Sequence, residues 1–150
     1  MENVRVLNPI TEDVTCLRSY LMPSLMNILR HNKHRDLPQR IFEVGNVVRD
    51  NLIQVRLCAM YTASKVSFTE IKTITESVLR EMGCEYELRN TEIKTFIDGR
   101  GAEVYYKGEP IGMFGEMAID VVTGYEITHP VAFMELNLDP IINDRKGTMF

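Results

Sequence analysis

Two pairs of β-rich runs, each pair joined by a few turn residues, constrain this chain more than any other feature. Residues 41–48 and 52–61 are rich in Ile, Phe, Val, Leu and Tyr and are separated by Arg49-Asp50-Asn51. Asp and Asn are turn formers, because their short polar side chains bond to the local backbone and tolerate left-handed conformations. Residues 102–106 and 111–114 repeat the arrangement through Lys107-Gly108-Glu109. Connections this short make hairpins, and hairpins are antiparallel. Residues 84–88 and 131–138 read as further strands. Residues 4–7 read as a short first strand, closed at Asn8-Pro9 because proline removes a ladder donor.

Helical spacing fills the gaps. Ser67 and Glu70 have the S-x-x-E spacing of a capping box, and Phe68, Ile71, Ile74, Val78 and Met82 follow at helical intervals until Gly83. This predicts a helix over 68–82 with Ile74 on its buried face. Met22, Leu25, Met26 and Leu29 form a second apolar stripe, with Pro23 in the first turn where a missing N–H costs little. Residues 30–40 are basic and contain Pro38, as expected for a solvated helix end and loop. Residues 119–123 predict a helical turn stopped by Gly124, and Asp139-Pro140 the cap and first turn of a terminal helix. The expected class is α+β, a mainly antiparallel sheet flanked by helices, packed against one face. No repeat or linker interrupts residues 1–150, which read as a single domain.

Composition limits the partners. The 150 residues carry 17 Lys plus Arg against 21 Asp plus Glu, a net charge of −4, so any nucleic-acid contact must be local rather than the work of a basic surface. Cys16, Cys58 and Cys84 are odd in number and widely spaced, which argues against a disulfide framework or a thiolate metal site and fits a reducing cytoplasm. No apolar run approaches the ~18 residues of a membrane span.

The order of particular residues says more. Asn8-Pro9, Leu17-Arg18, Pro23 and Asn32 lead into Phe42-Glu43-Val44-Gly45. Further on come Phe96-Ile97-Asp98-Gly99-Arg100-Gly101-Ala102, Ile111-Gly112-Met113-Phe114-Gly115-Glu116 and Val131-Ala132-Phe133-Met134-Glu135-Leu136. In this order, over nearly the whole chain, they resemble the class II synthetase-like core of the phenylalanyl-tRNA synthetase beta-subunit family. The resemblance implies a non-catalytic domain packed against a catalytic alpha subunit in an (αβ)₂ enzyme. That enzyme uses ATP and magnesium and meets tRNA as a whole, and this chain would be a piece of the longer subunit. A free-standing RNA-binding or interaction module on the same fold is the alternative.

Class II catalysis needs three motifs, and each can be sought here. Residues 4–9 resemble the interface strand of the first. Arg49 falls where the ATP-binding arginine of the second would lie, but the long loop that follows it in the family is cut to a tight turn. The third is a Gly-rich strand that admits the nucleotide, with an arginine to meet it. The matching residues 131–138 have neither, and Phe133, Met134 and Glu135 stand there instead. No catalytic residue, metal ligand set or domain-bound cofactor is therefore expected.

The remaining polar candidates for a relic site or an interface are Arg18, Glu43, Arg49, Arg100, Glu116 and Glu135, with the carboxylates expected to pair with Arg18 and Arg100. Gly99-Arg100-Gly101 reads as a bend before a strand rather than a phosphate loop. His31 and His34 have metal-ligand spacing with only Asp36 as a third group nearby. Residues 30–40 could meet tRNA phosphates or simply be solvated. The nine methionines fit either core filler or an adaptable partner surface.

Overall fold

The computed structural model describes residues 17–148. The expected strand at 4–7 and Cys16 lie outside them. Six antiparallel strands form one sheet. In chain order they are β1 (Gln39–Arg49), β2 (Leu52–Thr62), β3 (Glu87–Asn90), β4 (Phe96–Tyr106), β5 (Glu109–Met117) and β6 (Val131–Asn137), lying side by side as β1-β2-β6-β5-β4-β3. Four helices complete the fold: α1 (Met22–His31), α2 (Phe68–Glu81), α3 (Ile119–Gly124) and α4 (Asp139–Thr148).

Both expected hairpins are present. Arg49 pairs with Leu52 across Asp50 and Asn51, whose φ angles are 53° and 62°. Tyr106 pairs with Glu109 across Lys107 and Gly108, at 51° and 81°. Positive φ at both central residues gives a turn whose twist matches that of the strands it joins.

The central strand decides the layering. Every residue from Val131 to Leu136 is buried. Val131 and Phe133 belong to a core with Leu21, Leu25, Met26 and Leu29, while Ala132, Met134 and Leu136 belong to a second core with Ile71, Leu79 and Ile141. A strand that is apolar at both parities must be covered on both sides. Helices therefore pack on both faces, α1 and α3 on one and α2 and α4 on the other, not on one face as the sequence suggested. The α2 side stops short of the β1–β2 edge of the sheet, and Phe42, Val44 and Ile53 are 74%, 56% and 70% exposed there.

Several local readings shift. The strand expected at 84–88 forms at Glu87–Asn90, because Gly83 (φ 67°) and the Cys84 N–H to Leu79 carbonyl bond close α2 before the chain can reach the edge of β4. Gly99-Arg100-Gly101 lies within β4 as a bulge, with Gly99 at φ 79°, not ahead of the strand. Half of the capping box forms: Ser67 Oγ accepts the Glu70 N–H at 3.1 Å. The Glu70 carboxylate turns instead to Arg40 and the Tyr61 hydroxyl, and that hydroxyl accepts the Ser67 N–H. Asp139 is the first residue of α4 rather than its cap, and its N–H donates to Asn137 Oδ1 at 3.1 Å.

On α2 the fully buried row is Ile71, Thr75 and Leu79, with Ile74 and Val78 half-buried beside it. Ile71→Ala should cost about 2 to 5 kcal/mol and more than Ile74→Ala, and Ser67→Ala about 1 kcal/mol. Denaturant unfolding measures all three, and an equal loss at Ile74 would mean the helix presents a different face.

Candidate functional site

Helix α1 has an apolar residue at its N-cap: Leu21 occupies that position without a side-chain cap bond, and the first turn contains no acidic residue. The leading N–H groups of any helix lack internal acceptors and carry the positive end of its dipole. Here the sheet supplies the acceptor. Glu135 of β6 takes the Leu21 N–H at 3.1 Å on each carboxylate oxygen and the Met22 N–H at 2.8 Å on Oε1. Its Oε2 also accepts from Arg56 Nε at 2.6 Å. The Glu135 and Arg56 side chains are 0% and 4% exposed, so this is a charge pair taken wholly out of water.

The surrounding groups extend the pair toward the sheet edge. Arg56 Nη1 donates to Gln54 Oε1 at 3.2 Å, and Arg56 and Arg49 lie over the Tyr20 ring at 5.2 and 4.7 Å. Arg18 donates to Glu43 at 2.8 Å and to the Asn46 carbonyl at 3.1 Å, while its own carbonyl accepts the Val48 N–H. Gly45 makes room for that arginine, since a Cβ there would fall 2.6 Å from Nη2. Four of the six polar residues singled out from sequence, Arg18, Glu43, Arg49 and Glu135, thus converge where α1 meets the β1–β2 hairpin. Arg100 and Glu116 form a separate pair, with Nη1 to Oε2 at 2.6 Å.

Arg56 was missed, and Glu135, expected with Glu43 and Glu116 to pair with Arg18 or Arg100, pairs with Arg56 instead. A lone basic residue inside the apolar run of β2 was the available signal. Reading it required the β2–β6 register, in which Arg56 faces Asn137 and lies diagonal to Glu135 on one face.

This arrangement has little free chemistry. With two backbone donors and a guanidinium on its oxygens, Glu135 has no exposed lone pair with which to act as a base or ligand. Phe133 and Met134 beside it are 0% exposed. Phe133 stacks on Phe96 with ring centroids 5.3 Å apart. Phe96 in turn lies against Gly101 and Gly115, where an added Cβ would come within 2.6 and 2.8 Å of its ring. These glycines admit an aromatic ring, and Gly99-Arg100-Gly101 sits in a strand bulge rather than at the start of a helix. The position matching the family's nucleotide strand is filled by side chains, and its residues do not fit a nucleotide.

The other candidates resolve similarly. His31 Nδ1 contacts the Asn27 carbonyl at 2.7 Å, and no group of three or more His, Cys, Asp or Glu that could hold a metal occurs among the described residues. Met26, Met60, Met117 and Met134 are 0–2% exposed, and Met22, Met82 and Met113 are half-buried. The described methionines thus pack within or against the two cores. Burial, with Glu135 nearby, pushes the Cys58 thiol strongly up and makes it a poor nucleophile. No helix among the described residues is long and apolar enough to cross a membrane.

Removing one member of the buried pair should be far costlier than removing both. Glu135→Gln should destabilise the chain by about 3 to 5 kcal/mol by leaving Arg56 buried without its counter-charge. Adding Arg56→Met should recover part of that loss, and chemical denaturation of the two single variants and the double variant measures the coupling. Strictly additive losses would show that the pair is not coupled.

Comparison with known proteins agrees with this geometry. Residues 1–138 match the family model described as the phenylalanyl tRNA synthetase beta chain CLM domain. The chain is 40% identical over 135 residues to the phenylalanine–tRNA ligase beta subunit of Archaeoglobus fulgidus, covering 90% of this chain and 25% of that protein. It is 39% identical over 137 residues to the Methanosarcina barkeri beta subunit, covering 91% and 25%. It therefore spans about a quarter of the length of these curated relatives. Two solved pyrrolysyl-tRNA synthetase structures from Desulfitobacterium hafniense share the fold. One has a TM-score of 0.75 at 19% identity and the other 0.77 at 20%, each covering 97% of this chain and 63% and 54% of the synthetase chain. On these matches and the antiparallel class II-like sheet, the chain belongs to the phenylalanyl-tRNA synthetase beta chain CLM domain family.

Proposed function

We propose that this chain is the non-catalytic, synthetase-like module of a phenylalanine–tRNA ligase beta subunit. It packs against the catalytic alpha subunit of a cytoplasmic (αβ)₂ enzyme that joins phenylalanine to its tRNA with ATP and magnesium. The observation that carries the reading is the fate of the nucleotide strand: Phe133 and Met134 occupy it and Glu135 is committed to capping α1. A group that needs a groove and positive charge finds neither at that strand.

The partner half of the reading gains support from a different surface than methionine content suggested. Phe42 and Val44 on β1 and Ile53 on β2 are exposed apolar side chains along the β1–β2 edge of the sheet, of the kind that partner subunits cover. Together with the net charge of −4, this favours a protein partner over RNA as the main contact. Arg18, Glu43, Arg49 and Glu135, and Glu116 in its pairing with Arg100, then serve architecture rather than chemistry.

Two measurements test the proposal. Calorimetry of the chain with ATP and magnesium should show no saturable heat. Micromolar ATP binding lost in Arg49→Ala would restore an active-site reading. The full-length beta subunit containing this module, co-expressed with its alpha subunit, should elute as one assembly by size exclusion with light scattering. A subunit that stays apart from alpha, while this chain alone retards tRNA in a gel, would favour the RNA-binding alternative.

A further inference from the structure

A cleft of about 660 Å³ opens at the end of the sheet remote from the β1–β2 turn, between α3, the start of β6 and the segment following β2. Its size lies within the range typical of small-molecule sites, about 300 to 1,000 Å³. The inner wall is apolar: Met117, Val122, Ile127 and Val131 are 2%, 6%, 6% and 0% exposed, and Ile97 joins them. Ile119, 75% exposed, stands at the mouth. The polar groups are unevenly charged. Lys65, Arg100 and His129 line the cleft against a single carboxylate, Glu116. That carboxylate is 6% exposed and already held by Arg100, whose own side chain is 57% exposed. One guanidinium nitrogen makes that bond, so the exposed fork retains donors for a second carboxylate. Lys65 has no carboxylate partner among the described residues.

We propose that this cleft binds a small apolar monocarboxylate. The hydrocarbon body lies against Ile97, Met117, Val122 and Val131, and the carboxylate sits at the mouth between Arg100 and Lys65. Two cations over an apolar interior match one planar anionic group on a hydrophobic body, because the charge-assisted contacts stay at the rim while the body leaves water. A cationic ligand would meet like charge at that rim. The site shares no residue with the α1 cap, and the proposal goes beyond the architectural role.

The test is a methyl NMR titration of the chain with 3-phenylpropionate and with its uncharged amide. The acid should give saturable shifts confined to the methyls of Ile97, Ile119, Val122, Ile127 and Val131, and the amide should bind about tenfold more weakly. Lys65→Gln, which leaves the Arg100–Glu116 pair intact, should bring the acid down toward the amide. Thr123→Trp, placed at an exposed position lining the cleft, should block both probes. Absence of saturable shifts, equal affinity for acid and amide, or shifts centred elsewhere would each overturn the proposal.

Discussion

The Glu135 carboxylate is the contact on which the layered structure turns. A helix with an apolar residue at its N-cap lies on a sheet whose central strand supplies a cap from 114 residues away. The same carboxylate neutralises a buried arginine from the neighbouring strand. A buried ion pair is often no more stable than an apolar pair of the same volume, because desolvation offsets the attraction. The additional bonds from Leu21 and Met22 give the pair a second task. It fixes where α1 starts, and hence which of its residues meet Val131 and Phe133 below.

That placement supports the proposed non-catalytic role more directly than any single missing residue. An adenylate-forming sheet needs an open groove with positive charge at its floor. Here α1 covers the floor, its dipole and its N–H groups are satisfied by an anion, and the neighbouring aromatic rings stack through the positions that glycines keep clear. Gly101 and Gly115, in β4 and β5, have a packing role, since Phe96 lies against both.

The two faces of the sheet are finished differently. Toward its centre, β6 is sealed on both sides by two cores of similar make-up. At the β1–β2 edge the helix layer over the second face runs out and leaves Phe42, Val44 and Ile53 in solvent. A domain evolved to stand alone would ordinarily place polar residues there, so the uneven finish is consistent with a module that completes its surface against another chain.

Much of this was written in the sequence. The hairpins follow from Asp50-Asn51 and Gly108, residues that reach positive φ cheaply, and α2 follows from Ser67 and its apolar spacing. These are local effects, decided by a few neighbouring residues. Family membership was legible too, because motif order is linear. The rest depended on register and layering. Whether β6 is covered once or twice, which row of α2 is buried, and that Arg56 rather than Arg18 or Arg100 answers Glu135 are set by which strands come together and how they are aligned. Side chains far apart in sequence become partners only when the β2–β6 pairing brings them to one face. Glu135 shows the division most plainly: the sequence marked it as a charge out of place in a nucleotide strand, and only the tertiary structure could bring α1 over it and make that charge a cap.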